Sequence, residues 1–143
     1  MASIEQVFQK TLKSFPNIEV EFEYEDKLTG IYVIKEGEAF KLRLGILGKK
    51  FLESANEEEL TGVIAHEFGH ITADLEGIAK KEYLSEQDKL EDDMLAESKA
   101  VEKGYKKQLL AALELTKRMY NDWTGEIELR IKKLEGKNDK RPI

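Results

Sequence analysis

The stretch from 54 to 75, SANEEELTGVIAHEFGHITADL, limits the fold more than any other part of the chain. Its signals agree only if it is a helix. Asn56 followed by Glu59 is an N-terminal capping pair, and Glu57, Glu58 and Glu59 fill a first turn where the helix dipole favours acids. Residues four apart share a helix face, so His66 and His70 present two imidazoles to one point. Glu67 sits about 100° round the axis, beside that point. HEFGH is thus an H-E-x-x-H pattern: two zinc ligands and a general base from one turn of helix. A catalytic zinc takes three protein ligands plus water. The chain has only these two histidines and no cysteine, so the third ligand has to be a carboxylate from elsewhere in the chain or a group recruited from outside it.

Three acids compete for that place. Glu76 follows closely, but Ala73 stands where a glycine turn would be needed to bring it back, so it reads as a solvated loop residue. Glu97 is the better candidate. Leu90, Met94, Glu97 and Val101 recur at helical spacing, so Glu97 interrupts an apolar stripe, and a carboxylate facing a core is costly unless paired or metal-bound. Asp93, one turn earlier, is the reserve ligand or a support for another ligand. The expected metal set is therefore His66, His70 and Glu97, with zinc as the ion and Glu67 as the catalytic base.

Around this centre the pattern predicts an α+β domain. SIEQVFQKTLKSF carries a capping box at Ser3 and Gln6 and a helical apolar period, and Pro16 ends it. NIEVEFEYED alternates strictly, which marks a half-buried strand. TGIYVIKEG and EAFKLRLGI read as two further strands with Gly37 at the turn. A helix begins near Ser85, Gly104 interrupts it, and YKKQLLAALELTKRMYNDW resumes. GEIELRIKKLEG reads as a helix, because Leu134 fits only that period. The expectation is a small antiparallel sheet of about three strands packed on an N-terminal helix, the HExxH helix, a glutamate-ligand helix and C-terminal helices. Residues 1–143 make one domain, with 136–143 as a flexible or inhibitory tail.

Composition narrows the function classes. With 23 basic against 29 acidic residues, net charge −6, there is no electrostatic case for nucleic acid or an anionic membrane. No apolar run approaches the roughly 20 residues of a membrane span. MASIEQVFQK lacks the pattern of a secretory signal, and the absence of cysteine points to the cytoplasm. Abundant Glu and Lys fit a heat-loving source.

The run EAFKLRLGILGKKFLESANEEELTGVIAHEFGH resembles the catalytic core of the CAAX-prenyl-protease and heat-shock membrane metallopeptidases. Ala39-Phe40, Gly48, Asn56 to Leu60 and Val63 to His70 carry the likeness. AESKAV is similar to the second helix of those gluzincins, E-x-x-A-D, with Glu97 and Ala100 on its glutamate ligand and alanine. WTGEIELRIKKL resembles a third segment, with Arg130 and Ile131 on an Arg-Ile pair. Without membrane spans, the chain looks most like the minigluzincins. The likeness implies a three-stranded sheet and a latent, zymogen-like state in some members. The chain departs from it twice: Val101 stands where an aspartate supports a zinc-binding histidine, and Thr124 where a histidine assists the substrate oxyanion.

These readings converge on a zinc metalloendopeptidase acting on a peptide or protein substrate, with self-inhibition by a terminal segment. Arg130 is a candidate to orient Glu97 or the tetrahedral intermediate, and Tyr105 and Tyr120 are candidate substitutes for the missing histidine. The substrate is expected to pair with a sheet edge near Phe40 to Leu44. The competing readings are a non-catalytic zinc-binding domain and a regulatory peptidase cleaving one protein partner.

Overall fold

The computed structural model describes residues 3–25, 27, 30–80, 82–120 and 125–136. The expected tail beyond Gly136, and Thr124, lie outside the described residues. The elements run α1 (Ile4–Leu12), β1 (Val20–Tyr24), β2 (Ile31–Glu36), β3 (Ala39–Leu44), α2 (Ile46–Glu53), α3 (Glu57–Leu75), α4 (Glu86–Glu102), α5 (Lys106–Met119) and α6 (Glu126–Leu134). This is the expected α+β architecture with three strands and the N-terminal helix first. Helix α2 is additional to the expected elements.

Capping sets the helix starts. Ser3 and Gln6 form the box on α1, Asn56 and Glu59 form the box on α3, and Ser85 caps α4 through the Asp88 N–H. Gly37, at φ +63°, takes the left-handed position of the tight β2–β3 turn.

The sheet corrects the expectation in one respect. Its order is β1-β3-β2, with β2 antiparallel and β1 parallel to β3, so it is mixed rather than antiparallel. Alternation identifies a strand and its buried face, but carries no information about which neighbour it joins. The central position of β3 also overturns Phe40 to Leu44 as a substrate-pairing edge, because both of its sides are already bonded. The free edges are β1 and β2.

Helix α3 is the central element, packing on α1, α4 and α5. Phe8 of α1 lies between Phe22 of β1 and Phe68 of α3, with ring centroids 5.3 Å from each, and Phe15 meets Phe68 edge-on. Leu42, Leu44, Ile64 and Leu109, all fully buried, complete this centre. On the far side of α3, two glycines let helices touch backbone to backbone. A Cβ on Gly62 would lie 1.9 Å from the Gln108 carbonyl of α5, and one on Gly69 would lie 2.0 Å from the Ala96 carbonyl of α4. Ala96 and Ala100 are the fully buried residues of α4, whereas Val101 is 36% exposed. The face that α4 buries is thus narrower than the apolar stripe suggested. It brings the acidic residues around Ala96 close to HEFGH.

Candidate active site

His66 and His70 project from one face of α3, with ring centroids 4.6 Å apart. Their Nε2 atoms lie 3.0 Å from each other, and Asp93 Oδ1 on α4 lies 3.1 Å from His70 Nε2 and 3.3 Å from His66 Nε2. Tetrahedral zinc with bonds of about 2.0–2.1 Å holds its ligand atoms roughly 3.3–3.4 Å apart. The three atoms therefore form a triangle of the size that one face of such a site requires, and their chemistry, two imidazoles and a carboxylate, suits a metal.

Glu97 occupies a different place. It is buried at 3% exposure, as the interrupted stripe implied, but its Oε2 lies 3.2 Å from Nδ1 of His66, on the far side of that ring from the triangle. That Nδ1 is buried without a well-aligned hydrogen bond. Arg130 of α6 grips the other end of the interaction. Its Nε donates to Glu97 Oε1 at 3.2 Å and Oε2 at 2.9 Å, and its Nη2 donates to Oε2 as well. The structure thus brings Arg130 and Glu97 together. Together they line up as Arg130, Glu97, His66 and then the triangle.

His70 has a similar neighbour, which the sequence reading missed. Asp92, 4% exposed, places Oδ2 3.7 Å from His70 Nδ1. Adjacent acids on a helix diverge by about 100°, so Asp92 and Asp93 straddle the ring of His70, one towards each nitrogen. Asp92 also accepts from the Tyr83 hydroxyl at 2.6 Å and the Lys80 N–H at 3.1 Å. Burial first, then the bond to Asp92, pushes the Tyr83 phenol well above its ordinary value.

Two cavities flank Glu67. One, of about 150 Å³, is walled by Phe51, Val63, Leu109 and Leu113, with His66 and Arg130 at its polar end. The other, of about 290 Å³, runs between Val33 and Lys35 of β2 and the connection carrying Lys80 and Tyr83, over Glu67 and His70. Neither Tyr105 nor Tyr120 lines them. Tyr105 shares a hydrogen bond of 2.6 Å with Ser14 and stacks on Phe15, and Tyr120 lies against Phe51. Tyr83 is the tyrosine that lines a cavity with Glu67. Glu76, as expected, is away from the centre, 2.5 Å from Lys99 Nζ.

Residues 2–78 match peptidase family M48. The chain belongs to that family. Membership supports a metallopeptidase, the class to which HEFGH already pointed. The matched residues end before α4, so the roles of Asp92, Asp93 and Glu97 rest on the geometry alone. No curated protein and no solved structure matches the chain. Among the described residues no helix is long and apolar enough to cross a membrane.

Burial and the acids around His66 pull its charge in opposite directions. Desolvation alone would depress it, but Asp93 and Glu97 outweigh that and raise it from 6.5 to about 10. Asp93 and Glu97 are themselves held below their ordinary values of 3.8 and 4.5, burial opposing His66 and Arg130 in both cases. A raised histidine contributes stability that is complete below 6.5 and is lost as pH climbs through about 10. The depressed acids contribute above their ordinary values and lose this on acidification. The metal-free chain should therefore show its highest urea midpoint between about pH 5 and 6.5, falling steadily towards 10. A series of urea melts in chelator checks this, and a midpoint that rises from pH 7 to 10 contradicts it.

Proposed function

We propose that this M48 member is a zinc-dependent endopeptidase of the minigluzincin type, with His66, His70 and Asp93 as metal ligands and Glu67 as general base. The observation that carries the reading is the triangle of two Nε2 atoms and Asp93 Oδ1, set beside Glu67 in one cleft. Glu97 then supports His66, and Arg130 holds Glu97. The likeness to E-x-x-A-D fits this arrangement when moved back four residues onto Asp93, Ala96 and Glu97. In that register Ala96 meets the glycine of HEFGH, and Glu97 fills the supporting place that Val101 left open. The two acids are exchanged in length: the shorter is at the triangle, and the longer reaches Nδ1 of His66.

Zinc bound there would polarise a scissile carbonyl and lower the pKa of a water to about 7. The other parts are supplied by the chain. A peptide can lie along the free edge of β2, bonding through its backbone, with Val33 and Lys35 in the cleft wall. The apolar cavity beyond His66 takes a side chain of the substrate, and its Leu, Val and Phe walls favour an aliphatic or aromatic one. Glu67, at the junction of the two cavities, accepts the proton of the attacking water and returns it to the leaving amine.

Glu67→Gln tests the enzyme reading. Hydrolysis of a peptide library should fall by about 10²–10⁴-fold, the usual share of general acid–base catalysis, while zinc stays bound. A wild-type chain that holds stoichiometric zinc yet cleaves nothing would instead mark a non-catalytic zinc-binding domain.

A further inference from the structure

Asp92 has no part in the reading above, although the inference drawn from it rests on that reading. A carboxylate at 4% exposure has to be satisfied by its neighbours. Among the described residues, the polar neighbours of Asp92 come from two places. One is His70, whose Nε2 faces the triangle and whose Nδ1 faces Asp92. The other is the connection between α3 and α4, which gives the Lys80 N–H to Oδ1 and the Tyr83 hydroxyl to Oδ2.

That connection forms the wall of the cleft opposite β2. Little apolar packing holds it: Ile78 is 48% exposed, Tyr83 51% and Leu84 81%. Among the described residues, its other ties include the Ile78 and Ala79 N–H groups on the Ala73 carbonyl, the Gly77 N–H on the Asp74 carbonyl, the Leu84 N–H on Asp88, and surface pairs of Lys80 with Asp88 and Glu91. A segment with so few buried contacts opens at low free energy, so one buried polar anchor weighs heavily in its order.

We propose that Asp92 is the positioning residue of His70 and that, through Tyr83 and Lys80, it couples the order of this strap to metal binding. The arrangement mirrors that at His66. Each histidine turns Nε2 to the triangle and Nδ1 to a buried carboxylate, which is held in turn by a donor from another segment: Arg130 for Glu97, Tyr83 and the Lys80 N–H for Asp92. A carboxylate on Nδ1 fixes the tautomer and ring orientation of a ligating histidine. Because one carboxylate serves both strap and histidine, coupling must run both ways: zinc favours the closed strap, and the closed strap favours zinc. The cleft wall that meets a peptide is then held more firmly in the metal-loaded chain.

The test uses the full chain, with zinc affinity from chelator competition and limited proteolysis across residues 77–84 with and without zinc. Asp92→Asn should bind zinc about 10–100-fold more weakly. Tyr83→Phe, which leaves the carboxylate in place, should lose about 3- to 10-fold. In the wild type, zinc should slow cleavage of the strap, and in Tyr83→Phe this protection should shrink, because only the Lys80 N–H still ties the strap to Asp92. Asp92→Asn with wild-type affinity overturns the positioning role; if that variant does not fold, unchanged affinity in Tyr83→Phe overturns it instead. Zinc protection that is undiminished in Tyr83→Phe overturns the coupling, because a strap anchor unrelated to the metal changes cleavage equally with and without zinc. A wild-type chain that takes up no zinc defeats the metal reading as well, whereas the other outcomes leave it standing.

Discussion

Asp93→Ala should cost more zinc affinity than Glu97→Gln, although Glu97 is the more deeply buried of the two acids. Structural zinc sites bind with roughly 10–16 kcal/mol shared among their ligands, so deleting one ligand forfeits about 3–4 kcal/mol, or about 10²–10³-fold in affinity. Asp93 Oδ1 is a corner of the triangle, 3.1 and 3.3 Å from the two Nε2 atoms, and alanine leaves two ligands where three stood. Glu97 acts one ring further out. Glutamine there keeps an oxygen for Arg130 but removes the charge facing His66 Nδ1, a loss of the kind that costs about 10–100-fold. The same variant should destabilise the metal-free chain, because Arg130 is left buried beside a neutral amide. Competition with a graded set of chelators ranks the two variants directly. The reverse ranking, with Glu97→Gln the more damaging, would restore Glu97 as the third ligand and give Asp93 the supporting role.

That ranking also marks where the sequence stops being informative. The helix around HEFGH was legible because capping, dipole and histidine spacing are local and agree. The burial of Glu97 was legible too, because a charge in an apolar stripe has few solutions. Its role was not. Asp92, Asp93 and Glu97 are all acids on one helix, and periodicity places them on a face without saying which carboxylate reaches which nitrogen. The answer depends on how closely α4 approaches α3, and that distance is set by Gly69 and Ala96, residues with no chemistry of their own. The β1–β3 pairing was hidden for a similar reason: alternation is a property of one strand, whereas pairing is a property of two. Arg130 was read as a partner of Glu97 or of the tetrahedral intermediate, and it lies against Glu97. Tyr83 lies in a connection with neither period nor motif to single it out.

If the approach of α4 makes the site, then Gly69→Ala should damage stability and metal binding together, while Gly62→Ala should damage stability alone. Alanine is the better helix former by about 1 kcal/mol, so propensity by itself predicts a gain at both positions. Contact reverses the sign. The added carbon at 69 would lie 2.0 Å from the Ala96 carbonyl oxygen and 2.7 Å from its carbon, and at 62 it would lie 1.9 Å from that of Gln108. These are backbone atoms, which cannot rotate aside, so a whole helix has to move. Overpacking of this kind typically costs 1–3 kcal/mol and at times more, or about 3–10 °C in Tm for a chain of this size. The two displaced helices differ in what they carry. Pushing α4 from Gly69 moves Ala96 and, with it, Asp92, Asp93 and Glu97 away from both histidines, so zinc affinity should fall at least about 10-fold. Pushing α5 from Gly62 moves only walls of the apolar cavity, Leu109 and Leu113 among them, and leaves the triangle intact. Thermal melts of both metal-free variants, set beside their zinc affinities, separate the two effects. Equal loss of zinc in both would show that general loosening, and not the seating of α4, governs the site.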